Sequence, residues 1–210
     1  MKRFTLLLAG LLLFSATAAF AQLDVSAGYL KNSETMTLES THLGTDGTQG
    51  FYAGLGGTIH LSPFVSLMPG VYYAYEHSNS AATIAFFTLD GNRQDHSLYV
   101  PLRLAAGFPV TPQFRLFLFG GPKAFIGISS ISQVNASVMG LSYGEKVDNY
   151  EDYPERRFDL MLGGGIGMDI MEKFRVKVGY DWGLFDRVAS DQEDWGLRVK
   201  QFHIGISLLL

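Results

Sequence analysis

His203 and Ser207, four residues apart, are the residue types of a general base and a nucleophile. Catalysis would need them within hydrogen-bond reach. The segment around them alternates apolar and small or polar residues, so it reads as a strand. At about 3.4 Å per residue the two groups then stand roughly 13 Å apart. His60 or His203 would need a serine from another strand, and no motif of a known lipid-hydrolase or acyltransferase type accompanies either. Both read as histidines in a polar interior. His42, His77 and His96 show no H-x-x-x-H or similar spacing, and cysteine is absent, so no metal site is expected. Gly163-Gly164-Gly165 and the glycines from Gly54 to Gly57 open no helix and precede no G-K-[ST], which excludes a phosphate loop. They read as small residues where strands curve. No catalytic residue or cofactor is expected.

The remaining chemistry is ionic. Glu76, Arg103, Lys123, Asp159, Asp169, Arg175, Lys177, Asp181 and His203, with Asp24, share the strand parity of glycine, alanine and serine, opposite the large apolar residues. In a narrow interior such charges need partners, so a paired network that fills the space is expected. The alternative is a gate whose pairs exchange. A further polar stretch, Ser130 to Arg156, combines Tyr143, Tyr150 and Tyr153 with Glu145, Asp148, Glu151 and Asp152. It reads as a solvated cap or a contact surface, tyrosine being enriched where proteins meet.

Strands must position these groups. Phe158 to Ile170 and Phe174 to Leu184 alternate with period two around the link Glu172-Lys173, which marks a hairpin. Similar runs occupy about 23–31, 50–61, 64–77, 95–108, 114–129 and 197–210. The connections alternate long and short, with polar loops expected at 32–49, 78–94, 130–156 and 187–196. Eight antiparallel strands in that order place all long loops at one end and all short turns at the other. This is the pattern of an up-and-down transmembrane β-barrel with short periplasmic turns and four long extracellular loops. A soluble barrel would turn its large apolar face inward, whereas here the opposite face is too small and sparsely charged for a solvated exterior. Tyr29, Tyr73, Tyr75, Tyr180 and Trp182 are expected in a girdle at the loop end, and Phe51, Phe108 and Phe174 in one at the turn end. Pro69, Pro101 and Pro122 cannot donate to a ladder and are expected at bulges.

Composition agrees. Residues 1–21 have a basic start, a short apolar run and Ala19-Phe20-Ala21, the pattern of a cleaved signal peptide, which leaves 22–210 as one barrel domain. That domain holds 14 basic and 20 acidic residues, a formal charge of −6, with no basic stretch of the kind that binds nucleic acid. Charged residues make up only 17% of the chain, below the soluble norm of about 25%.

The segments GFYAGLGGTIHLSPFVSLMPGVYYAYE, SLYVPLRLAAGF, FRLFLFGGPKAFIGI and FDLMLGGGIGMDI, the last followed by VKVGYDWGLFD, resemble the outer-membrane β-barrel domain family of Bacteroidetes, the PorT-like or "porin family" small barrels. A V-P-L core precedes a G-P step, then a glycine-rich strand, then Tyr180, Gly183 and Leu184 in a Y-x-x-G-L ending. The resemblance implies an outer-membrane location and contact with outer-membrane lipid. It also implies insertion by the barrel assembly machinery. Apart from the resemblance, the residues themselves read as a non-enzymatic structural or interaction barrel whose loops or turns contact an envelope protein. A narrow passive pore and a lipid-modifying enzyme are the alternatives.

Overall fold

The computed structural model describes residues 21–38, 41–84, 87–138, 141–152, 155–187 and 195–210. Residues 1–20 of the expected signal peptide (1–21) lie outside them, while Ala21 is the first residue of the first strand. Among the described residues nine strands are present: β1 (Ala21–Leu38), β2 (Thr41–His60), β3 (Val65–Ile84), β4 (Phe87–Thr111), β5 (Phe114–Val138), β6 (Leu141–Asp148), β7 (Phe158–Ile170), β8 (Phe174–Gly183) and β9 (Trp195–Leu209). All pairings are antiparallel. The ring runs β1-β2-β3-β4-β5-β7-β8-β9 and closes β9 on β1. It has eight walls, because β6 and β7 follow one another along the same side of β5. β6 pairs with the outer half of β5 and β7 with its inner half.

The polar stretches expected as loops are in large part strand. Leu38 opposes Thr41, Ile84 opposes Phe87 and Val138 opposes Leu141, so three hairpin arms carry the ladder past the apolar band. Period-two hydrophobicity marks a strand only where one face meets an apolar medium and the other does not. Beyond the membrane both faces meet water, the alternation vanishes, and backbone pairing persists.

Side-chain direction follows parity. Phe51, Leu55, Leu104, Leu118, Ile166 and Ile206 are more than half exposed, while Asp24, Glu76, Asp159, Arg175 and Asp181 are buried. A soluble core would invert this; a barrel in hydrocarbon requires it. The outer girdle contains Tyr29, Phe51, Tyr73, Tyr75, Tyr180 and Trp182. Phe51 sits opposite Tyr29 and Tyr75, with the Tyr29 and Phe51 ring centroids 5.9 Å apart, and so belongs to the loop-end girdle rather than the turn end. The reason is direction: β2 descends from its arm, so its early membrane residues are the outermost.

Pro69, Pro101 and Pro122 are not at register-shifting bulges. Pro69 opposes Leu102 and pairing resumes at Tyr72 with Tyr99; Pro101 opposes Lys123 and pairing resumes at Leu104 with Gly120. The ladder lapses there without changing register. The shifts lie instead at Lys31/Ser33, His96/Ser97 and Pro109/Thr111. Gly121, beside Pro122 in the lapse, has φ 146°, a conformation that favours glycine.

The interior holds rings as well as charges. Tyr72, Tyr99, Phe125, Met161, Leu30 and Val199 form an outer cluster, and Met68, Ala105, Phe117 and Phe119 an inner one. Inward-facing glycines of β7 make room for them. A Cβ on Gly167 would fall on the Phe117 ring, and one on Gly163 on Asp181 Oδ1 and the Tyr180 carbonyl. Because two of those obstacles belong to backbone and a buried ion pair, Gly163→Ala is expected to destabilise the barrel by about 1–3 kcal/mol, the usual cost of overpacking. Urea titration of folding into lipid vesicles would measure it.

Candidate functional site: the filled interior and its outer closure

All nine charged or imidazole side chains singled out in the sequence project into the barrel, but in separate groups. At mid-height Asp181 of β8 is the hub and is fully buried. Its Oδ1 accepts from Arg103 Nη2 of β4 at 2.5 Å, and its Oδ2 accepts from Lys123 Nζ of β5 at 2.5 Å. His203 Nδ1 of β9 lies 3.4 Å from Oδ2. Lys123 also donates to Gln201. Arg103 has a second role, donating to the carbonyls of Gly121 and Gly163. Gly121 lies in the lapse between β4 and β5, so the guanidinium supplies a donor that the proline-interrupted ladder lacks there.

Toward the outside, Glu76 of β3 is almost completely buried and accepts from four neighbours. They are Asn32, Thr48 at 2.8 Å, Ser97 at 3.3 Å and Tyr99 at 2.7 Å. Gln201 donates to Asn32 and to Tyr99, each at 2.8 Å, and so joins the Glu76 and Asp181 groups. Toward the periplasm, Arg175 of β8 donates to both oxygens of Asp169, at 2.5 and 3.1 Å, and to Thr58 at 2.6 Å, with its guanidinium over the Phe117 ring. Asp159 stands apart and accepts from the backbone N–H of Phe185 at 3.1 Å.

Lys177 joins none of these pairs. Among the described residues no carboxylate lies within 4.0 Å of it, and its ammonium sits 5.8 Å from the Tyr72 ring centroid. With Asp24, Tyr52, Arg103 and His203 it lines a cavity of about 70 Å³, room for a few water molecules.

A further group closes the outer end. Glu155, in the break between β6 and β7, accepts from Arg93 of β4 at 3.0 Å and from Arg187 after β8 at 3.0 Å. Arg93 also pairs with Asp95 at 2.8 Å and approaches Glu34 at 3.9 Å, while Arg187 lies over the Phe125 ring. Asp95 accepts from Ser130, which in turn accepts from Asn149. The sequence pattern does not reveal this closure, because the arms that carry it are polar on both faces and read as loops. The available signal was parity: Arg93 and Asp95 share the inward parity of Arg103 once β4 is extended.

Glu34, above the membrane band, is held above the ordinary carboxylate value of 4.5, burial outweighing the pull of Arg93 and Arg187. A raised carboxyl binds its proton more tightly folded than unfolded. Its contribution is therefore fully present below the unfolded value and lost as pH rises through the folded one. Glu34→Gln is expected to increase hydrogen-exchange protection of the outer ladder at neutral pH, and to leave it unchanged in acid, where Glu34 is already neutral.

Of the three tyrosines, Tyr143 on β6 is 70% exposed. Tyr150 folds back instead: its hydroxyl lies against Gly127, and Arg157 covers its ring at 4.8 Å. Tyr153 lies outside the described residues.

The chain resembles solved outer-membrane barrels in arrangement, at low identity. Ail, the attachment invasion locus protein of Yersinia pestis, is 14% identical with a TM-score of 0.41, over 90% of this chain and 99% of that one. Neisserial surface protein A is 11% identical with a TM-score of 0.46, over 90% and 99%. The outer membrane protease OmpT of Escherichia coli is 9% identical with a TM-score of 0.43, over 90% and 96%. No curated protein matches the chain in sequence. The family model described as "Outer membrane protein beta-barrel domain" matches residues 6–208. An eight-walled ring, lipid-facing apolar rows and that match through nearly the whole chain agree, and the protein belongs to the outer-membrane β-barrel domain family and resides in the bacterial outer membrane.

Proposed function

We propose that the protein is a non-enzymatic structural and interaction barrel, with a filled interior and with outer arms that meet an envelope or extracellular protein. The observation that carries this is the contrast between the two ends of the strands. Within the membrane the cross-section is occupied by paired ions and rings, while beyond it β4, β5 and β6 continue as a hydrogen-bonded sheet that presents Tyr143. A rigid sheet presents a surface at lower entropic cost than a free loop. The acidic, aromatic segment around β6 suits partner contact. The quoted segments resemble the PorT-like barrels of Bacteroidetes, and an envelope-integrity or secretion-associated role is part of the proposal. Outer-membrane lipid and, during biogenesis, the barrel assembly machinery are its further partners.

The filled interior speaks against a passive pore. Against an enzyme stands the setting of the histidines. Among the described residues no serine or threonine hydroxyl is hydrogen-bonded to a histidine; His203 faces Asp181, and His96 takes Tyr73 as its partner.

A photo-crosslinker placed at Tyr143 in native membranes is expected to yield a discrete protein adduct. The same group at lipid-facing Leu118, exposed to a similar extent, is expected to yield lipid adducts only. An absence of protein adducts from Tyr143 and its neighbours on β6 would contradict an interaction role for the arms.

A further inference from the structure

Beyond the girdle β3, β4, β5 and β6 continue as one sheet, and its outward face is neither apolar nor charged. Register sets three rows across the four strands. His77, Gln94, Ile131 and Asp148 form the row nearest the membrane, Asn79, Asn92, Gln133 and Lys146 the next, and Ala81, Asp90, Asn135 and Gly144 the third. Neighbouring strands stand about 4.8 Å apart and alternate residues of one strand roughly 7 Å apart, so Asn79, Asn92, Gln133, Asn135 and Asp90 share one patch. Asparagine and aspartate are poor strand residues, and local folding preference does not account for their concentration here.

Two features shape the patch into a site. Asn92 Nδ2 donates to Asn79 Oδ1 at 2.9 Å, which orients both amides and leaves the Asn79 nitrogen and the Asn92 oxygen for other partners. Ala81 and Gly144 have almost no side chain at the two ends of the third row, so the surface dips there. Asn79, Ala81, Asp90, Asn92 and Asn135 line a depression of about 350 Å³, within the size range of small-ligand sites. Among the described residues Asp90 takes no hydrogen-bond or ion-pair partner, so its carboxylate is available to accept.

The charge and polarity of the patch select its ligand. The two outer rows carry one anion, Asp90, and one cation, Lys146, whereas phosphate, sulfate and nucleic acid call for clustered cations. Ala81 is the one apolar side chain in those rows, so an acyl chain or the aromatic anchor of a protein partner finds no apolar pocket. Closely spaced donors and acceptors without net charge match closely spaced hydroxyls, each of which both donates and accepts. We infer that the outward face of this four-stranded sheet binds a neutral polysaccharide, one sugar seated in the depression between Asn79 and Asn135 and its neighbours hydrogen-bonded to the amides alongside. On the membrane side the His77 ring, stacked on Tyr75 with centroids 6.3 Å apart, gives the C–H face of a sugar an apolar wall. Tyr143 lies on the opposite face of the same sheet, so this site goes beyond the protein contact proposed there and does not depend on it.

The test uses the full barrel in phosphatidylcholine nanodiscs, which hold no sugar, and soluble polysaccharides read by biolayer interferometry. Dextran, mannan, laminarin and galactan are the neutral chains; heparin and alginate are the anionic ones. At least one neutral chain is expected to bind, and the anionic ones are not. Asn79→Ala/Asn92→Ala/Asn135→Ala is expected to weaken that binding at least about tenfold, through the loss of several hydrogen bonds. Ala81→Arg, which fills the depression, is expected to do the same, and Asp90→Asn to lose less than Asp90→Ala because an acceptor remains. Tyr143→Ala, on the other face, is expected to match wild type. Heat-modifiable gel migration reports folding of each variant, and if the triple variant is unfolded, Ala81→Arg decides. Failure of all four neutral chains to bind would overturn the assignment, as would undiminished binding by the folded patch variants or equal binding of heparin.

Discussion

Replacing Asp181 with alanine is expected to lower the stability of the barrel by about 3–5 kcal/mol, the cost of leaving buried charge without its partner. Arg103 and Lys123 both end on this carboxylate, and both are buried. Neither has another acidic partner within 4.0 Å among the described residues. Urea-dependent folding into vesicles should show the loss as a shifted midpoint. Removing all three charges together, as Arg103→Met/Lys123→Met/Asp181→Leu, is expected to recover part of it, because apolar replacements of similar volume leave no orphaned ion. Recovery should be incomplete, because the Gly121 and Gly163 carbonyls lose the donors that Arg103 supplies. A triple variant weaker than Asp181→Ala would contradict the assignment of the loss to orphaned charge.

Glu76→Leu is the second large effect, roughly 3 kcal/mol. Four donors converge on one buried carboxylate, and each buried donor left unsatisfied costs about 1–3 kcal/mol before neighbours relax. Asn32 and Tyr99 keep contacts with Gln201, which limits the total. Glu76→Gln is expected to lose less, since an amide oxygen still accepts. The effect should spread along the network: protection of β9 near Gln201 is expected to fall with that of β3. A loss confined to β3 would mean that the groups are not joined through Gln201.

The membrane part of the fold was legible because hydrocarbon on one face and a narrow interior on the other impose alternation residue by residue. The bounds of β7 and the lipid-facing rows followed from that alone. β5 was harder, because Phe117, Phe119 and Phe125 face inward and Leu116, Leu118 and Ile126 outward, so composition no longer separates the faces. The interior rings were correspondingly not foreseen. The glycines opposite them were seen only as relief for curvature, whereas the side chains they accommodate come from strands far away in the sequence. The three arms read as loops for the reason that governs all exposed ladders: water on both sides erases the pattern. The meeting of Arg93, Glu155 and Arg187 is hidden for the same reason, since parity assigns a direction only inside a recognised strand. The pairing of particular ions within the lumen depends on register across the ring, which no local spacing encodes.

The measurement that bears most directly on the filled interior is conductance of the refolded protein in a planar bilayer across voltage and pH. The ion pairs and rings that occupy the lumen predict no stepwise current from wild type. Reproducible single-channel steps, present in wild type and changed in size by Asp181→Ala or Lys123→Met, would show that the network gates a conducting path and would contradict the account.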